Sequence, residues 1–152
     1  LMAELGFGNN NLFSQTFVGT YPDAFLHISV DASGSMGGGK WTKTMKSVVA
    51  MTKAIDMIEG VDVVVSFRST QNSSGRGRKD NPLMLIAYDS RKDGLVKVKT
   101  LFKFLRPNGT TPEGLCYEAV MDEMVEGMND RESYFLNFSD GMPMFGNDDV
   151  DY

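Results

Sequence analysis

The stretch Phe25-Leu26-His27-Ile28-Ser29-Val30-Asp31-Ala32-Ser33-Gly34-Ser35-Met36 decides how the rest of the chain is read. Its first half is a short apolar run that ends on a carboxylate, the pattern of a buried strand with a polar exit. Its second half spaces Asp31, Ser33 and Ser35 by two residues around Gly34. A glycine there permits the sharp turn that brings three oxygen-bearing side chains toward one point.

Outward from this stretch the period changes. Met45, Val48, Val49, Thr52, Ile55 and Ile58 recur every three or four residues, which predicts a helix from Trp41 to Ile58 ended by Gly60. Val61–Phe67 is continuous and β-branched, a second buried strand. The polar segment 71–81 is too short for a helical crossover, so the third strand, Leu83–Tyr88, is expected to pair antiparallel with the second. Residues 95–105 read as helical, and Pro107-Asn108-Gly109 breaks that helix. Thr111-Pro112-Glu113 opens another, with Thr111 placed to cap it. Tyr134–Phe138 is a last strand that runs into Ser139-Asp140-Gly141.

The order β-α-β-β-α-α-β predicts a three-layer, Rossmann-like α/β sandwich. Its sheet is mostly parallel, with strands one, two and four central and strand three an antiparallel edge. Residues 1–22 carry no period and read as an irregular lead-in to a domain over 23–152.

Bulk composition narrows the function. The chain has 152 residues, enough for one core, with 41% hydrophobic and 23% charged residues. A net charge of −5 argues against broad nucleic-acid binding. No apolar run reaches membrane-spanning length, and no membrane partner is expected. The single cysteine, Cys116, excludes an internal disulfide. With no signal-peptide pattern at the N-terminus, a cytoplasmic setting is expected.

The chemistry gathers in three pieces: the Asp31–Ser35 turn, Gly109-Thr110-Thr111-Pro112, and Ser139-Asp140-Gly141. Each follows a strand or opens a helix. Two carboxylates and three hydroxyls are hard oxygen ligands that suit Mg²⁺, Mn²⁺ or Ca²⁺. The first strand should neighbour both the second and the last, which places Asp31 and Asp140 together at the switch point of the sheet.

Two other chemistries were weighed. Gly34–Lys40 fits the spacing of a phosphate-binding loop, but Trp41 stands where a Ser or Thr belongs. A serine hydrolase lacks its motif and its base, because the only histidine, His27, lies inside the first strand and reads as a core residue.

Asp31-x-Ser33-x-Ser35 with a later threonine and a later aspartate resembles the metal-ion-dependent adhesion site of von Willebrand factor type A (VWA) domains. The resemblance covers most of residues 25–143. It implies Asp31, Ser33, Ser35, Thr111 and Asp140 as ligands of one Mg²⁺, or Mn²⁺ or Ca²⁺, with some carboxylates acting through water. The family's Gly-Thr-Pro form selects Thr111 over Thr110. The segment Ser139–Pro143 is most similar to the intracellular branch, the cobalt-chelatase T-type subunit and its phage-encoded relatives, which work with an AAA+ ATPase. After Asp140 a full VWA domain continues further than Gly141–Tyr152, so the resemblance implies a domain shortened at its C-terminus.

The expectation is therefore a non-enzymatic, metal-dependent protein-binding module. Its partner supplies an acidic residue to the ion, and Met36 and Met142 form an apolar rim for that partner. An adaptor to an AAA+ ATPase is the leading reading, and a stand-alone adhesion or scaffold module is the alternative.

Overall fold

The computed structural model describes residues 23–72, 80–128, 130–141 and 143–145. The lead-in 1–22, the Arg76–Lys79 loop and Met142 lie outside the described residues.

Four strands form one sheet in the order β3-β2-β1-β4. They are β1 (Ala24–Asp31), β2 (Val61–Asn72), β3 (Asp80–Asp89) and β4 (Glu132–Phe138). β1 pairs parallel with β2 on one side and with β4 on the other. β2 and β3 are antiparallel, as the short connection requires. The expected central place for the fourth strand is corrected: within the described residues β4 is an outer strand, opposite β3.

Helices cover both faces. α1 (Gly39–Ile55) and α2 (Val96–Leu101), with a 3₁₀ turn at Phe102–Phe104, pack on one face. There Trp41, Val48, Val98 and Phe102 meet Ile28, Val30, Val63, Val65 and Phe67 of the sheet. α3 (Glu113–Met128) covers the other face, where Val120 and Met124 meet Phe25 and Val64. Gly127 is fixed by this packing, since a Cβ there would lie 2.5 Å from the Phe25 ring. α1 ends at Ile55, three residues earlier than its periodicity suggests, and Gly60 at φ +83° turns the chain into β2 instead of capping the helix.

The α3-facing side of β1 and β2 is unusual for a core. His27, Ser29 and Asp31 on β1 and Ser66, Arg68 and Thr70 on β2 are all buried. They pair across the strands: His27 Nε2 shares a hydrogen bond with Ser66 Oγ at 2.8 Å, and Arg68 Nη1 donates to Ser29 Oγ at 3.0 Å. Buried polar groups persist where they are hydrogen-bonded, and this ladder leads along β1 to Asp31 at the strand's carboxyl end. No described helix is long and apolar enough to cross a membrane.

Candidate functional site

β1 lies between two parallel neighbours whose connections leave in opposite directions. Such a point opens a crevice beyond the carboxyl ends of the strands. Asp31 closes β1, and Asp140 lies two residues beyond β4. Three loops meet there, and their backbones are bonded to one another. Asn108 N donates to Ala32 O at 2.7 Å, and Gly34 N donates to Gly109 O at 3.0 Å. Gly109 sits at φ +77° and so close to β2 that a Cβ would lie 2.5 Å from Thr70 Oγ1. A side chain at this position would push the second loop off β2.

The gathered side chains form a continuous polar chain. Asp31 Oδ1 accepts from Ser33 N at 2.7 Å. Ser33 Oγ and Ser35 Oγ share a hydrogen bond at 2.9 Å, and Ser35 Oγ donates to Asp140 Oδ1 at 2.9 Å. Thr111 Oγ1 reaches Asp31 Oδ2 at 3.4 Å. All five residues singled out in the sequence are thus linked, and four of them, Ser33, Ser35, Thr111 and Asp140, line a cavity of about 440 Å³, with Asp31 buried behind them. Thr111 departs from the reading in one respect: its hydroxyl turns to Asp31, not back to the first turn of α3.

Three residues join the site beyond the five expected ligands: Ser139 lies within the third piece and Lys40 within the phosphate-loop spacing, but Arg68 is in no pattern. Ser139 Oγ donates to Asp31 Oδ2 at 3.4 Å. Lys40, in the first turn of α1, donates from Nζ to Asp140 Oδ2 at 2.5 Å and to Ser35 O at 3.4 Å. Its ammonium and the Ser35 hydroxyl hold the Asp140 carboxyl below its ordinary range. A lysine directly after Gly37-Gly38-Gly39 reads as a phosphate ligand; here it is already committed to a carboxylate.

Arg68 is the third. Its guanidinium is fully buried and touches three of the elements that carry the site, β1, α3 and β4. It bonds Ser29 on β1, Glu113 Oε1 at the start of α3 at 2.8 Å, and the Phe138 carbonyl at the end of β4 at 3.4 Å. The fork geometry of arginine suits such a three-way junction. The signal in the sequence was weak, because Arg68 sits directly after a run that reads as apolar.

The rim is corrected as well. Met36 is only 3% exposed and packs in the α1-side core, so it forms no rim. Met142 lies outside the described residues; among those described, the methionine at the mouth is Met144, 68% exposed, whose backbone exchanges two hydrogen bonds with Thr111. Cys116 is buried, as expected, and burial pushes its thiol up.

The donor set was tested against a divalent cation. Among the described residues no three His, Cys, Asp or Glu side chains form a metal-binding group. The cluster instead offers two carboxylates and several hydroxyls, all hard oxygen donors. Asp31 is 1% exposed, and among the described residues no lysine or arginine pairs with it. A buried carboxylate held by one N–H and two long hydroxyl contacts is a costly arrangement, and a cation relieves it. The residues present therefore fit a hard divalent ion.

Solved structures share this fold. The vWF domain of the type V pili tip protein Mfa5 from Porphyromonas gingivalis superposes with a TM-score of 0.56, at 16% identity over 82% of this chain. The fold is VWA-like. A structure of three N-terminal domains of the same pilus protein matches at a TM-score of 0.55 and 17% identity over 80% of the chain. The chain spans 40% of the first of these structures and 20% of the second. No sequence family matches the chain, and neither does any curated protein.

Proposed function

We propose that the VWA-like chain is a protein-binding module that works through one divalent cation. The observation that supports this most is Asp31, a buried carboxylate without a cationic partner among the described residues, held by hydroxyls of Thr111 and Ser139 directly behind the cavity that Ser33, Ser35, Thr111 and Asp140 line. Asp31, Ser33, Ser35, Thr111 and Asp140 would hold Mg²⁺, Mn²⁺ or Ca²⁺. Such an ion, when bound, supplies positive charge that two carboxylates only partly offset toward neighbouring ligands. A partner's Asp or Glu is the complementary group.

The protein's own residues have defined tasks. Asp31 and Asp140 provide charge from two neighbouring strands. Ser33 and Ser35 provide neutral donors between them. Arg68 and Glu113 fix the loop that carries Thr111. Lys40 must leave Asp140 for the carboxylate to turn to a cation. No histidine serves the site, since the one histidine is buried in β1.

Between the two settings for such a module, the stand-alone adhesion or scaffold reading has the better support. The similar domain belongs to a pilus tip protein, whereas the ATPase-adaptor reading rests on Ser139–Pro143 alone. The test is direct. Mn²⁺ titration followed by water-proton relaxation should show one site in the wild type and none in Asp31→Ala or Asp140→Ala. Capture of partners in Mg²⁺ against EDTA then distinguishes a surface ligand from an AAA+ ATPase. Saturable binding of Mn²⁺ that survives both substitutions would sink the proposal.

A further inference from the structure

A second concave surface lies away from the ion site, between α1 and α2. Its floor is apolar: Met45 and Val49 from α1 face Val98 and Phe102. Its walls carry five cations. Lys46 and Lys53 line one side, and Lys99, Lys103 and Arg106 the other. The groove holds about 740 Å³ and has no acidic lining residue. This is a third of the lysines and arginines of a chain whose net charge is −5, since 15 are present in all. None of the five is in an ion pair among the described residues. Lys103 instead lies over the ring of Phe104, which is 69% exposed.

Five like charges on one concave surface form a positive field to which an acidic partner is complementary. The apolar floor between two cationic walls sets the partner's shape. A flat bilayer cannot fill a concavity, and the groove is too open along its length to enclose a small ligand, which normally buries most of its surface. An amphipathic helix fits: an apolar stripe meets the floor, and acidic side chains on its flanks meet the walls. We propose that this groove docks an amphipathic helix with an acidic border, contributed by a partner protein. The docking uses no residue of the ion site, so it stands independently of the cation reading.

Trp41 is the chain's only tryptophan and lines the same groove, which gives a built-in reporter. The probe is an 18-residue helical peptide with a leucine stripe flanked by glutamates. A second peptide keeps the stripe and replaces each glutamate by lysine. Both are titrated by Trp41 fluorescence in EDTA, which removes any contribution from a bound cation. The acidic peptide should bind the wild type at least tenfold tighter than the basic one. Lys46→Glu/Lys99→Glu/Lys103→Glu changes three exposed side chains and should reverse that order, with the circular dichroism unchanged. Equal affinity for the two peptides, or no binding of the acidic one up to millimolar concentration, overturns the proposal. So does tight binding to phosphatidylserine vesicles that the acidic peptide fails to displace.

Discussion

His27 should make the domain acid-sensitive in a way that a single substitution removes. The imidazole is fully buried in β1; Nε2 is bonded to Ser66, while Nδ1 has no partner among the described residues. Burial, assisted by the nearby Arg91, lowers its pKa to about 4 from 6.5. A histidine with a depressed folded-state pKa stays neutral while the unfolded chain takes up a proton. Stability is therefore full above pH 6.5, falls as the pH drops through the interval from 6.5 to 4, and levels off below it. The gap of about 2.5 pH units corresponds to about 3 kcal/mol in total. Most of this, about 2–3 kcal/mol, is lost by pH 4.5. Urea unfolding at pH 7.5, 5.5 and 4.5 in EDTA measures it. Carboxylates also titrate over this range, so the informative quantity is the difference from His27→Gln, which keeps a donor for Ser66 and cannot take up a proton. The wild type should lose about 2–3 kcal/mol more than His27→Gln between pH 7.5 and 4.5. Parallel stability profiles for the two proteins would refute the reasoning.

Two further outcomes follow from the site. Lys40→Met removes the ammonium that competes for Asp140; the pair is exposed on the lysine side and worth at most about 1 kcal/mol, so Mg²⁺ affinity by calorimetry should rise by up to about fivefold. A fall in affinity would mean that Lys40 helps the ion and does not compete with it. Glu113→Ala leaves the buried Arg68 guanidinium without its carboxylate and should cost about 3 kcal/mol in urea unfolding, while loosening the Thr111 loop enough to weaken Mn²⁺ binding. An unchanged Mn²⁺ titration in a destabilised Glu113→Ala would restrict the pair to a role in folding.

The parts of this molecule that were legible in the sequence are those governed by local rules. The β-branched run Val61–Phe67 and the three-and-four spacing of α1 report burial through a period. The two-residue spacing of Asp31, Ser33 and Ser35 marks a turn with polar side chains. Topology then followed from connection lengths, and with it the meeting of Asp31 and Asp140. What escaped depends on partners far along the chain. β2 extends to Asn72, well past its apolar run, because Ser69, Thr70 and Gln71 pair with Leu83, Pro82 and Asn81 of an edge strand that tolerates proline and polarity. Arg68 reads as the exposed end of a strand until Glu113, 45 residues later, lies beside it. Met36 follows the serines as though it bordered their turn, but the 3₁₀ turn at Gly34–Met36 rotates it into the core. Thr111 has the sequence context of a cap, and only the neighbouring β1 shows that its hydroxyl has a different acceptor.

The strand order also sets when the ion site comes into existence. Ser35 and Asp140, which share a hydrogen bond, are 105 residues apart, and Asp140 follows the strand that completes the described sheet. Contacts this distant in sequence close late, after the loops between them have been brought together. A chain emerging from the ribosome would have Asp31 and both serines in hand long before their counterpart. Under the proposed reading, uptake of Mn²⁺ during refolding would be a clock for the arrival of β4, to be timed against the burial of Trp41.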